Sequence, residues 1–205
     1  MSGKLPFLLG IDEAGRGPLA GPVSVGAVLI PRRYVSRFQS LRDSKKTTPR
    51  EREEIFNSLR GAKKDGIINY AVSCVGARMI DRYGISKAVR VAIRRTTKKL
   101  GIDGSKTEIL LDGLLSAPKA YKFQKTIKGG DQKVPIIALA SIAAKVVRDR
   151  KMVRLSKIFP QYCFHKHKGY GTFLHRSLLK EHGLSYIHRK SYCKNLLTKP
   201  SVSIG

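Results

Sequence analysis

Acidic side chains are scarce in this chain: 14 Asp and Glu stand against 41 Lys and Arg in 205 residues, a formal charge of +27. Such an excess sets up a field attractive to phosphate, with binding that weakens steeply as salt rises. Cysteine is also rare. Cys74, Cys163 and Cys193 are odd in number, far apart and without a Cys-x-x-Cys pair, which argues against a disulfide framework or a zinc site and for reduced, mostly buried thiols. No run approaches the ~20 apolar residues needed to span a bilayer. The start Met1-Ser2-Gly3-Lys4-Leu5-Pro6 lacks the apolar region of a secretory signal, so a cytoplasmic protein with no membrane attachment is expected. What is present is a 41% apolar content over a length that supports one core and a small appended lobe. Charge alone would fit a passive histone-like or ribosomal binder equally well.

Phe7 to Asp12 and Val23 to Ile30 are short apolar runs separated by Gly15, Gly17, Pro18, Gly21 and Pro22, and read as two antiparallel strands around an irregular turn. Thr48-Pro49-Arg50-Glu51 combines a capping box with proline at the first helical position, which predicts a helix from Pro49 to Lys64. Ile67 to Val75 reads as a third strand, and Ile85 to Leu100 as a strongly basic helix stopped by Gly101. Glu108 to Leu111 forms a strand ending in Asp112-Gly113. Tyr121 to Ile127 forms a weaker one ending in Gly129-Gly130-Asp131, and Ala138 to Ile158 a long helix. The expected class is α/β, a mixed five-stranded sheet flanked by helices. Residues 1–158 would be the core and 159–205 a basic, helical C-terminal region packed on it, the whole a single domain.

The acids that exist sit in informative places. Asp12 and Glu13 close an apolar run and lead into Gly15-Arg16-Gly17; Asp112 and Asp131 also follow apolar runs and lie beside glycines. Side chains alternate along a strand, so Asp12 and Glu13 share a site only if the strand ends or twists at Glu13. Two carboxylates ~4 Å apart repel by ~4 kcal/mol at an effective dielectric near 20. A divalent cation reverses that sign, and oxygen ligands suit Mg²⁺ or Mn²⁺. Two such ions can activate water and stabilise a leaving oxygen at a phosphodiester. The plainer reading makes each acid a turn residue, and Asp149, between Arg148 and Arg150, an ion-paired surface acid ranked below Asp131 as fourth ligand.

The series Gly10-Ile11-Asp12-Glu13-Ala14-Gly15-Arg16-Gly17-Pro18, Asp43-Ser44-Lys45-Lys46, Asp112-Gly113, Gly130-Asp131, Ala140-Ser141-Ile142-Ala143-Ala144-Lys145-Val146, His167-Lys168-Gly169-Tyr170-Gly171 and His188-Arg189 resembles, in order and over nearly the whole chain, the ribonuclease HII (type 2 ribonuclease H) family. The resemblance implies a ribonuclease H-like fold and a catalytic, metal-holding set of Asp12, Glu13, Asp112 and Asp131 with two Mn²⁺ or Mg²⁺ ions. It also implies endonucleolytic cutting of RNA in RNA-DNA hybrids and on the 5′ side of a ribonucleotide in duplex DNA, leaving a 3′-hydroxyl and a 5′-phosphate. Roles in ribonucleotide excision repair and RNA primer removal would follow. Gly15, Arg16 and Gly17 would meet the 2′-hydroxyl, Tyr170 the following deoxyribose, and Lys45, Lys46, Lys145 and Lys168 phosphates. Leu139, Tyr186 and Tyr192 depart from the residues usual in the family, and none touches the implied ligands. The first motif begins nine residues after Met1, which leaves no room for the additional domain of type 3 enzymes, and a monomer is expected. The competing classes are a non-catalytic basic nucleic-acid binder and a nuclease of the same fold acting on DNA junctions. His165, His167 and His188 read as structural or phosphate-bonding residues.

Overall fold

A computed structural model describes residues 4–38 and 47–197 of the chain. Asp43, Ser44, Lys45 and Lys46 lie outside the described residues. The chain begins with strands β1 (Phe7–Ala14) and β2 (Val23–Pro31), then helix α1 (Pro49–Lys64), β3 (Asn69–Val75), α2 (Ala77–Tyr83) and α3 (Ile85–Leu100). It continues through β4 (Thr107–Asp112), β5 (Gln124–Ile127), the one-turn α4 (Gly130–Lys133), the long α5 (Pro135–Ile158), α6 (Phe164–His167), α7 (Phe173–His182) and α8 (Lys190–Leu197). The five strands form one mixed sheet in the order β3-β2-β1-β4-β5. β1 and β2 pair antiparallel, as do β2 and β3, whereas β4 runs parallel to both β1 and β5.

Alternation along the strands divides the core in two. Leu9, Ile11, Val25, Ala27, Ile109 and Leu111 pack with α3, while Leu8, Val28, Ile30 and Leu110 pack against α5. Each fully buried Leu or Ile contributes ~1.5–3 kcal/mol. α5 is apolar nearly all round in its first half because it lies directly on the sheet, and it can do so because β1 and β2 present glycine beneath it. A Cβ on Gly10 would stand 2.4 Å from the Ile136 carbonyl oxygen, and one on Gly26 would stand 2.2 Å from that of Ala140. A third cluster, including Ala20, Met152, Tyr162, Phe164 and Leu179, joins the C-terminal helices to the segment after β1.

The capping box at Thr48 and Glu51 forms, and Gly101 ends α3 in the left-handed region, so both helices have the predicted bounds. Several boundaries differ. β1 does not stop at Asp12 but continues to Ala14, because Glu13 and Ala14 still pair with Val25 and Ser24. β3 starts only at Asn69, since the amides of Ile67 and Ile68 are taken by the Ala62 carbonyl at the end of α1. The expected strand from Tyr121 shortens to Gln124–Ile127, the Tyr121 amide turning back to Pro118. α5 begins earlier, at Pro135, and the short helices α2 and α4 are additions to the sequence reading. The three cysteines are free, but only Cys193 is buried; Cys74 and Cys163 are half-buried. No helix among the described residues is long and apolar enough to cross a membrane.

Candidate active site

The parallel register of β1 and β4 has Ile11 beside Leu111 as its last pair, so Asp12 and Asp112 follow on neighbouring strand ends. Both continue the alternation of Leu8 and Leu110, toward α5. Asp12 is buried, and its carboxylate accepts hydrogen bonds from the Glu13 amide at 2.7 Å and from Ser141 on α5. Glu13 points by alternation to the other face, yet its long side chain brings its carboxyl within hydrogen-bond reach of Asp12 while Arg16 approaches it at 3.4 Å. The two acids therefore meet without the strand ending between them. Asp112 accepts a 2.6 Å hydrogen bond from the Gly130 amide, which fastens the loop after β5 to the end of β4. The next residue, Asp131, is buried in the first turn of α4.

Electrostatics follows from that placement. Burial first, then Glu13 and Asp112, push the Asp12 carboxyl up to about 8, against the lowering effect of its hydrogen bonds. Burial and Asp112 also raise Glu13, opposed mainly by Arg16. Asp12 is thus pushed toward its protonated form, a bias that a bound cation would reverse. The donor set consists of carboxylate oxygens alone and suits a hard divalent ion. As the side chains stand, no three His, Cys, Asp or Glu among the described residues are gathered tightly enough to chelate one ion. Convergence through side-chain rotation is required, and mutual repulsion opposes it until a cation is present.

The turn after β1 is held by two buried arginines whose role the sequence reading did not assign. Arg148, fully buried on α5, donates to the carbonyls of Pro22, Ala20 and Lys168. Arg189, equally buried, donates to those of Gly15, Arg16 and Gly21 at 2.6, 2.6 and 3.1 Å. Burial lowers both guanidinium pKa values, that of Arg189 to about 10. Gly15 is required where it stands: its φ is +89°, and a Cβ there would sit 2.0 Å from Arg148 Nε. Arg16 and Gly17 remain exposed at the tip of the turn.

Tyr170, 38% exposed, stands beside that turn, with Lys145 Nζ 5.2 Å and Arg148 Cζ 5.4 Å from its ring centre. Its backbone is locked by histidines. The Tyr170 amide donates to the His167 carbonyl, and its own carbonyl accepts from His175 Nδ1 at 2.9 Å. His175 Nε2 then accepts from His188 Nε2 at 3.1 Å, and His188 Nδ1 accepts from the Ser185 amide. His167 donates through Nε2 to Tyr162 and accepts through Nδ1 from Gly169. Each ring has one donor and one acceptor in use, the complement of a neutral imidazole. Burial depresses all three, His175 and His188 to about 4.

Lys145 and Lys168 line a groove of about 760 Å³ between α1, α5 and α6, together with Arg52, Arg150, Arg154 and Lys166. None of the four acids lines it, so it lies beside the carboxylates and not over them. Asp149 is paired with Lys145 at 3.0 Å, as the ion-pair reading expected.

The sequence matches the family model described as ribonuclease HII over residues 9–195. Curated proteins named Ribonuclease HII from Caldicellulosiruptor bescii and Coxiella burnetii are 42% and 38% identical to the chain, over 94% and 91% of its length and 89% and 88% of theirs. Among solved structures, ribonuclease HII from Archaeoglobus fulgidus, determined in a PCNA complex, gives a TM-score of 0.73 at 24% identity, covering 94% of this chain and 97% of that one. Bst ribonuclease HIII in complex with Mn²⁺ gives 0.63 at 16% identity, covering 88% and 64%. At these identities the structures attest the ribonuclease H-like fold, and the sequence matches carry the assignment. With a family model spanning almost all of its length and relatives this similar, the chain belongs to the ribonuclease HII family.

Proposed function

We propose that this protein is a cytoplasmic, monomeric, metal-dependent endonuclease that cuts the RNA strand of RNA-DNA hybrids and the 5′ side of ribonucleotides embedded in duplex DNA. Its products would be 3′-hydroxyl and 5′-phosphate ends. Such an activity serves ribonucleotide excision repair and removal of RNA primers. The supporting observation is the placement of Asp12, Glu13 and Asp112 just beyond the last paired residues of two parallel strands, where Asp12 is so poorly compensated that its carboxyl rises to about 8. Asp12 and Asp112 would be the central ligands, with Glu13 and Asp131 completing two coordination spheres. Two Mn²⁺ or Mg²⁺ ions, when bound, would activate water and neutralise charge at the leaving oxygen.

The chain's own groups supply selectivity. Gly15, Arg16 and Gly17 offer a backbone close enough for a 2′-hydroxyl, pinned from behind by Arg148 and Arg189. Tyr170 offers a flat ring for the adjoining deoxyribose, and Lys145 and Lys168 offer charge to phosphates. Residues 1–158 would carry the chemistry and residues 159–205 the tyrosine and its support, in one domain. The deciding assay is a labelled duplex holding one ribonucleotide, incubated with Mn²⁺ or Mg²⁺ beside an all-DNA duplex of the same sequence. Cleavage confined to the ribonucleotide duplex and lost in Asp112→Asn supports the proposal. Binding without cleavage would make the protein a non-catalytic binder, and equal cutting of the DNA duplex a general nuclease.

A further inference from the structure

Helix α3 presents to solvent a row of cations that no acid answers. Lys87, Arg90, Arg94 and Lys98 recur every three or four residues, so they share one stripe, and all four are exposed. The helix contains neither Asp nor Glu. None of the ion pairs formed among the described residues includes any of the four. The arrangement opposes the helix itself. Arg90 with Arg94 and Arg94 with Lys98 are like charges four apart and repel, and Lys87 lies in the first turn, where the helix dipole disfavours a cation.

The stripe is continuous with the candidate site. Arg16, which contacts Glu13, shares a cleft of about 170 Å³ with Ser86, Arg90 and Ser116. Arg90 is also a wall of the next cleft, about 370 Å³, together with Lys87, Arg94 and Lys119. A channel bounded by α3 and the loop after β4 therefore leads away from the glycine turn. The clefts are walled by the stripe as far as Arg94, and the stripe itself, from Lys87 to Lys98, extends ~16 Å, the rise of about five phosphates along one strand.

We propose that this stripe, with Lys119, is a phosphate track for the duplex flanking the scissile position on one side only. The inference rests on the nuclease reading of the carboxylates and adds to it a one-sided demand for flanking length. A polyanion in the channel removes the like-charge repulsion that α3 carries when free.

The test measures binding without divalent ions, so that no cutting occurs. Three duplexes are compared: one with only about two base pairs on either side of a single ribonucleotide, its ends closed by uncharged linkers so that it falls short of the stripe, and the same duplex lengthened by about 10 base pairs on the 5′ or on the 3′ side. The protein variants are Lys87→Gln/Arg90→Gln/Arg94→Gln/Lys98→Gln and the charge-matched Arg60→Gln/Lys64→Gln/Lys157→Gln/Lys180→Gln, all at exposed positions. For the stripe variant, affinity for one of the two lengthened duplexes falls ~10-fold or more and its salt slope by about 3 to 4, at ~0.9 per lost phosphate contact. The short duplex and the other extension change less than ~3-fold, and the control set treats all three duplexes alike. Equal loss on all three duplexes, loss matched by the control set, or no loss overturns the track. A single charge reversal, Arg94→Glu, gives a second route to the same readout if the fourfold variant fails to fold. Metal-supplemented cleavage of the short duplex by the unaltered protein is scored separately. A flank-dependent affinity without cleavage would sink the nuclease reading and leave the track, whereas cleavage with symmetric flanks would do the reverse.

Discussion

The carboxylates near the ends of β1 and β4 and the three buried histidines His167, His175 and His188 are both withdrawn from water, and burial shifts both groups toward their uncharged forms. In the histidine set every ring nitrogen has a partner of the right kind, a closed account that gives the Tyr170 loop one conformation. In the carboxylate set the neighbours of Asp12 are other acids, and only single hydrogen bonds from Ser141 and a backbone amide oppose the repulsion. A buried cluster that satisfies itself is scaffold. One left in electrostatic debt is where an external charge belongs.

The strongest challenge to this contrast is Asp112→Asn. Cleavage of the ribonucleotide duplex should drop by ~10³-fold or more, ~4 kcal/mol in the barrier, while metal-free duplex affinity stays within ~3-fold. Retained cleavage would remove the acidic cluster from the chemistry. Next comes Arg189→Ala, which strips three hydrogen bonds from the glycine turn and should cost ~3 kcal/mol or more. Thermal melting should register a fall of about 6–12 °C for a chain of this size, with Arg189→Lys recovering only part, since an ammonium cannot fork. An unshifted melt would mean that the turn holds itself.

The histidines make the third test. Their folded pKa values lie below the unfolded value near 6.5, so the unfolded chain binds more protons between about pH 4 and 6.5. Stability is then complete above pH 6.5 and is lost as pH falls toward 4, on the order of 2 kcal/mol for each of His175 and His188 by pH 5. Denaturant unfolding across that range should show the decline, and His188→Gln should flatten it. The smallest effect concerns Asp149→Asn. Its half-exposed pair with Lys145 is worth ~1 kcal/mol or less, and cleavage should stay within ~3-fold. A collapse comparable to that of Asp112→Asn would transfer the fourth ligand role from Asp131 to Asp149.

What could be read in advance was what local sequence controls. Thr48, Pro49 and Glu51 fix the start of α1 within a few residues of chain, and Gly101 fixes the end of α3 in the same way. The placement of Asp12 and Asp112 on neighbouring strands, just past their last pair, was visible because each terminates an apolar run. Arg148 and Arg189 were not legible in their roles, since a buried guanidinium satisfied by carbonyls up to 174 residues away leaves no periodic trace. The setting of Asp131 depended on a one-turn helix too short to impose a pattern, so its place after a weak strand was read but its burial was not. Glu13 joined Asp12 by side-chain reach and not by the strand break that alternation suggested.

The bare notch that Gly10 and Gly26 leave in the sheet makes α5 a common axle for parts that otherwise have no connection. Ser141 hydrogen-bonds Asp12, Lys145 flanks Tyr170, and Arg148 latches the turn, all carried on one shaft seated within a methyl group's width of the strands. Enlarging either glycine would lift the shaft and detune all three together, a loss that no single repair near the acids could reverse.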